Sequence, residues 1–201
     1  MGYDPRVRHR RSIRLAGFDY SQSAAYFVTV CAQGRGSLFG TVVDGTMQPN
    51  DAGRMIQAAW DGLPQRFPGL ELDAFVVMPN HVHGIIVIPV ANDATGPVGA
   101  GLVPARCAPI TTGATTRATT RVAPTLGDVV GAFKSWTTVL YARGVRGAGW
   151  VSFDGRLWQR NYYEHIIRGE AELDRIREYI MTNPVRWAED RENPQGRAEN
   201  E

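Results

Sequence analysis

Apolar and β-branched residues recur along the chain in short runs separated by turn chemistry. The first run, Tyr26 to Cys31, reads Tyr-Phe-Val-Thr-Val-Cys and ends at Ala-Gln-Gly-Arg-Gly, the signature of a strand. Leu38 to Val43 and Thr46 to Gln48 flank Asp44-Gly45, a dipeptide suited to the primed turn of a two-residue hairpin, expected at a sheet edge. The spacing of Met55, Ala58, Ala59, Leu63 and Phe67 predicts a helix from Asp51 to Phe67, capped by Asn50 and stopped by Pro68-Gly69. Two further apolar runs, Leu70 to Met78 and His81 to Pro89, lie either side of a Pro-Asn turn and predict a pair of buried strands.

Between Ala91 and Pro124 the pattern fades into Ala, Thr, Gly and Pro, a composition that cannot bury enough surface to order itself and reads as a flexible insertion. Thr125 and Asp128 resemble a capping box, and Val129, Val130, Phe133, Trp136, Val139 and Leu140 make the apolar face of a second helix ending near Gly144. Leu157 to Tyr163 fits a strand or an extended loop. Leu173, Ile176 and Ile180 mark a last helix from Glu170 to about Asn183, closed by Pro184. This order predicts an α+β fold: an antiparallel sheet of the ferredoxin-like or RNA-recognition-motif type, with helices on one face and a C-terminal helix. The expected organisation is a basic extension over 1–24, one domain over 25–188 interrupted by the 91–124 insertion, and a polar tail over 189–201.

Length and charge narrow this only a little. A chain of 201 residues, 43% hydrophobic, supports one well-packed domain. No run of eighteen apolar residues occurs, and the basic N-terminus leads into no apolar signal core, so no membrane association and a soluble, cytoplasmic protein are expected. The formal charge is +2, yet Arg6, Arg8, Arg10, Arg11 and Arg14 crowd the start of the chain. That cluster suits phosphate contacts or a solvated tail. Lys134 is the only lysine, so positive charge is almost all guanidinium, as bidentate phosphate recognition or a GC-rich genome would give. Cys31 and Cys107 form no disulfide framework and no zinc-ligand spacing.

The chemistry-bearing residues sit inside the strongest pattern. His81 and His83 open an apolar strand, and a spacing of two directs both imidazoles to one face, where they can hold a metal ion; the bland reading is one core histidine and one exposed one. Tyr179 and Asn183 lie four apart, just over one helical turn, so phenol and amide share a face; the bland reading is a core edge and a helix cap. Together, two imidazoles and an amide oxygen make a three-ligand site with open positions, suited to a divalent ion that polarises a phosphodiester, with the tyrosine as nucleophile.

Met78-Pro-Asn-His81-Val-His83, the Phe133-Lys134-Ser135 and Trp158-Gln159-Arg160 segments, and Tyr179-Ile-Met-Thr-Asn183-Pro184 resemble, in that order, the single-tyrosine HUH transposases of the insertion-sequence-200 type. The branch most similar is the REP-associated tyrosine transposases, and the likeness spans about Tyr26 to Trp187. The resemblance implies that His81 and His83 are the paired metal ligands, Asn183 the third ligand, and Tyr179 the nucleophile that forms a 5′-phosphotyrosine and frees a 3′-hydroxyl. It implies a Mg²⁺ or Mn²⁺ ion and no nucleotide cofactor. It also implies single-stranded or hairpin DNA as substrate, and a homodimer with the tyrosine acting in trans or a monomer acting in cis. Lys134, Arg160, Arg10 and Arg11 are candidate phosphate partners, and Trp158 and Tyr162 candidate stacking surfaces for unpaired bases. The competing readings are a non-catalytic nucleic-acid-binding protein derived from such a transposase, and a metal-dependent phosphoesterase that would not need Tyr179.

Overall fold

A computed structural model describes residues 24–88 and 124–194. The basic extension with Arg10 and Arg11, most of the 91–124 insertion with Cys107, and residues beyond 194 lie outside the described residues. Within them, strands β1 (Ala24–Cys31), β4 (Glu71–Val77), β5 (His81–Ile88) and β6 (Tyr163–Ile167) form one antiparallel sheet in the order β4-β5-β1-β6. With helices α1 (Asp51–Asp61) and α3 (Leu126–Ala148) between them, this is the βαββαβ arrangement of a ferredoxin-like α+β fold. A hairpin of β2 (Gly40–Val43) and β3 (Thr46–Pro49) stands apart as its own two-stranded sheet instead of extending the main one. Its turn residues Asp44 and Gly45 both have positive φ, as a primed turn requires.

The two sheet faces bury different things. Tyr26, Val28 and Val30 of β1 and Val82, Ile86 and Ile88 of β5 point toward α1 and α3, where Trp60 and Phe133 complete the main core. Trp60 stacks on Phe75 at 4.3 Å and lies over Gly84, where a Cβ would sit 2.5 Å from the indole. The opposite face carries a smaller cluster of Phe27, Ile85, Ile167 and Ile180, the last from helix α4 (Glu170–Thr182). Asp73 at the bulge in β4 ties this helix down, accepting from Arg177 Nε at 3.0 Å and from a terminal guanidinium nitrogen at 2.6 Å.

Three local differences from the sequence expectation have plain causes. The first helix breaks at Gly62 and resumes as the single turn α2 (Leu63–Arg66), because Pro64 has no N–H to continue the ladder. The second helix runs past Gly144 to a left-handed Gly149; Gly144 serves as a dent for Trp150, whose ring would lie 2.2 Å from a Cβ there. The unsettled stretch after Leu157 resolves into an extended segment followed by the edge strand β6. At its start, α3 has the expected capping box between Thr125 and Asp128. Among the described residues no helix is long and apolar enough to cross a membrane.

Candidate active site

Alternation along β1 and β5 sends Phe27, Thr29 and Cys31 of one strand, and His81, His83 and Ile85 of the other, to the face under α4. The register pairs Thr29 with His83 and Cys31 with His81, so a polar row continues directly from the small apolar cluster. The His81 and His83 Nε2 atoms approach to 3.0 Å, and both rings are buried. Burial pushes both imidazoles down to about 3, so each is neutral near pH 7 and available as a ligand.

The hydrogen bonds around the pair fix its proton positions. Asn80 Nδ2 donates to the carbonyls of Arg35 at 2.8 Å and Glu192 at 2.7 Å, which leaves its Oδ1 facing His81 Nδ1 at 2.9 Å. His81 is therefore protonated on Nδ1 and bare on Nε2. Without an ion, His83 Nε2–H donates to that lone pair while its Nδ1 accepts from the Thr29 hydroxyl at 2.8 Å. With an ion, His83 need only take the other tautomer and donate from Nδ1 to Thr29, an oxygen able to accept.

Asp190 completes the group. Its carboxylate lies 3.8 Å from His81 Nε2, and one ligand atom each from His81, His83 and Asp190 all fall within 4.8 Å of one another. Sequence reasoning missed this residue by setting 189–201 apart as a tail. Residues to 194 instead fold back over the site, with a 3-10 turn at Trp187–Glu189, the Trp187 ring 5.9 Å from His81, and an Arg35–Glu192 ion pair at 3.2 Å. The only sequence signal was the acidic spacing of Glu189, Asp190 and Glu192, which an exposed tail would share.

Tyr179 reaches the same place from α4, its ring 5.2 Å from His83 and 5.9 Å from Phe27 within one chain. Burial, then the Asp190 carboxylate, push its phenol above the usual range, while a hydrogen bond from Asn183 and the charge of Arg186 oppose the shift. Asn183 is 2% exposed and caps the helix, and its Oδ1 has no hydrogen-bond partner among the described residues. His83, Tyr179, Asn183 and Asp190 line a cavity of about 660 Å³, shared with Gln159, Asn161 and Tyr163. Two buried imidazoles whose Nε2 atoms face each other, a carboxylate and an unpartnered amide oxygen are a donor set that fits a hard or borderline divalent cation.

Two expected DNA contacts are corrected. Trp158 is 4% exposed, donates its indole N–H to Thr137 at 2.8 Å and packs on Phe39 and Phe133, so it has no ring face for a base. Lys134 donates to the carbonyls of Gln159, Arg160 and Asn161 at 3.0, 3.4 and 3.1 Å, which makes it an internal strut instead of a phosphate partner. Burial brings its ammonium down to about 8. Arg160 is exposed. His165 pairs with Glu172 at 2.8 Å, and Glu172 also accepts from the Arg168 backbone N–H ahead of α4, a structural arrangement.

The chain is 36% identical over 192 residues to an uncharacterized protein of Haemophilus influenzae, an alignment covering 94% of this chain and 95% of that protein. It belongs to the same family. No family model matches the sequence. Among solved structures, the fold is similar to that of a REP-associated tyrosine transposase bound to a REP hairpin, with a TM-score of 0.51 at 18% identity over 87% of this chain and 74% of that one. At that identity the likeness is one of fold.

Proposed function

We propose that this protein cleaves and rejoins single-stranded DNA as a metal-dependent tyrosine transposase, through a covalent 5′-phosphotyrosine at Tyr179. The observation that carries this reading is the approach of the His81 and His83 Nε2 atoms to each other and to the Asp190 carboxylate, at a cavity that His83 and Asp190 line together with Tyr179. A phosphoesterase acting on a small substrate would need the donors but not the tyrosine. The fold shared with a transposase bound to a hairpin supports hairpin-forming single strands as substrate.

His81 and His83 would hold the ion through Nε2 and Asp190 through a carboxylate oxygen, with Asn183, the third ligand expected from sequence, on the wall of the same cavity. When bound, a divalent cation supplies charge to the scissile phosphate and favours the phenolate. The protein does the rest by placement. Asn80 holds His81 in the ligating tautomer, and Phe27 and the His83 ring seat the phenol. Asn183 donates toward the tyrosine oxygen and so offsets part of the upward shift that burial imposes. In the cleavage step the Tyr179 oxygen bonds to phosphorus as the bond to the 3′-oxygen breaks; the phenol gives up a proton and the 3′-oxygen gains one. Rejoining is the reverse exchange, so no nucleotide cofactor is required.

Incubation with Mn²⁺ and a labelled single-stranded hairpin, followed by denaturing electrophoresis, tests the proposal. The wild-type protein is expected to give a protein–DNA adduct, and Tyr179→Phe to give none while still binding the strand. An adduct that survives in Tyr179→Phe rejects the assignment of the nucleophile. Binding with no adduct from the wild type points to the non-catalytic DNA-binding alternative.

A further inference from the structure

One stretch of the cavity wall lies outside the donor set. Residues 159–163 leave the core at Trp158 and run to the start of β6, and their backbone is immobilised in an unusual way. The single lysine of the chain, on α3, points its ammonium at three consecutive carbonyls, those of Gln159, Arg160 and Asn161, and lies over the Tyr162 ring at 5.3 Å. At the start of the stretch, Gln159 donates its backbone N–H to the Cys31 carbonyl at 2.9 Å and its amide to the Ala32 carbonyl at 3.3 Å. A connecting segment held at four successive points is a rigid platform, and cavities that recognise ligands are built on such preorganised supports.

The side chains on that platform match the needs of an unpaired base. Tyr163 is 50% exposed, braced edge-on against Phe27 at 6.1 Å, and lines the cavity together with Gln159 and Asn161. An aromatic ring offers a stacking face for any base, and amide groups offer both donors and acceptors to its edge. The register also gives the offset. Tyr163 pairs with Thr29 on one side of β1, and His83 pairs with Thr29 on the other, so tyrosine and histidine lie in one row across three strands. Two strand spacings separate them by about 10 Å, within reach of a base whose own phosphate lies at the histidines.

We propose that Gln159, Asn161 and Tyr163 form a subsite for one unpaired base next to the scissile phosphate, and that Lys134 is its positioning residue. This rests on the single-strand reading of the site and adds where a base is read. Arg186, from the chain turn after α4, lines the same cavity and offers the strand backbone a cationic partner.

The test measures binding of a fluorescent single strand in which an abasic residue is stepped through the positions around the cleavage point, with no cleavage needed. Wild-type protein is expected to show one position at which the abasic residue weakens binding by about tenfold, the size of one base–aromatic stack. Tyr163→Ala should weaken the intact strand by a similar factor and erase that dependence on position. Asn161→Ala, which removes an exposed side chain and leaves the backbone carbonyl that Lys134 holds, should keep the dependence on a base but reduce the preference among the four bases there. Lys134→Met should blunt both effects although all three contact side chains remain. If the abasic profile is the same in wild type, Tyr163→Ala and Asn161→Ala, the subsite is wrong while the single-strand reading stands. If no single strand binds at all, both fail. An RNA strand of the same sequence, bound equally, would keep the subsite and overturn its assignment to DNA.

Discussion

The two faces of the sheet are built from the same strands and do opposite work. On the side of α1 and α3, aromatic and branched residues interlock to the point that Gly84 has no room for a methyl group. On the side of α4 the buried cluster among the described residues is small, and the pleat that delivers Tyr26, Val28 and Val30 to the core delivers Thr29 and His83 to a cavity. Stability and chemistry are thus separated by one residue of register, and a slip by one would exchange them. The polar face can afford buried imidazoles because the other face carries the fold.

Substitutions on the two faces should therefore separate stability from ion binding. The largest stability loss is expected from Trp60→Ala, at about 3–5 kcal/mol in denaturant unfolding, because it empties the centre of the packed face; a loss under 1 kcal/mol would mean the core closes without it. Next is His83→Ala. The wild type is expected to gain about 2.7 kcal/mol from Mn²⁺ at a hundred times the dissociation constant, read as a thermal shift, and the variant to gain none. Because burial holds both histidines near 3, that Mn²⁺ shift should stay level from pH 8 to pH 5. A decline centred near 6.5 would show exposed imidazoles instead. The ion-free protein should behave differently. Unfolded histidines take up protons below about 6.5 and the folded ones do not until about 3, so stability falls across that interval as pH drops.

Gly84→Ala ranks third, at about 1–3 kcal/mol, since the new methyl meets the rings of Trp60 and Phe75; unchanged unfolding would show that Trp60 can retreat. The smallest effect is expected from Asp73→Asn at the tie between β4 and α4, under about 1 kcal/mol because the pair is partly solvated. The hydrogen bond from Arg177 lowers the Asp73 carboxyl below its ordinary value. The wild-type advantage is thus present above the unfolded pKa and vanishes as pH falls through the folded one. An advantage that persists in acid would assign it to packing.

The packed face was almost entirely legible in the sequence, since apolar periodicity is a direct record of burial. The polar face was legible only where it borrowed a strand. His81 and His83 showed themselves by alternation inside an apolar run, and Tyr179 and Asn183 by helical spacing. Asp190 did not, because a carboxylate that folds back over 100 positions leaves no local period. Edge strand β6 was obscured by Glu164 and His165, polar residues that an edge tolerates. Lys134 and Trp158 were misplaced for the converse reason: residue type suggests exposure for a lysine and DNA stacking for a tryptophan, but partners decide it. Here three carbonyls and a threonine hydroxyl drew both inward.

The amide of Asn80 joins the carbonyls of Arg35 and Glu192, the second of them 112 positions away. Translation delivers the histidine strand long before the segment that closes over it, so a nascent or prematurely terminated chain carries imidazoles but no assembled centre. The donor set is complete only once the closing segment is in place, and a nonsense mutation upstream of that segment removes Asp190 together with the Glu192 carbonyl that helps orient Asn80.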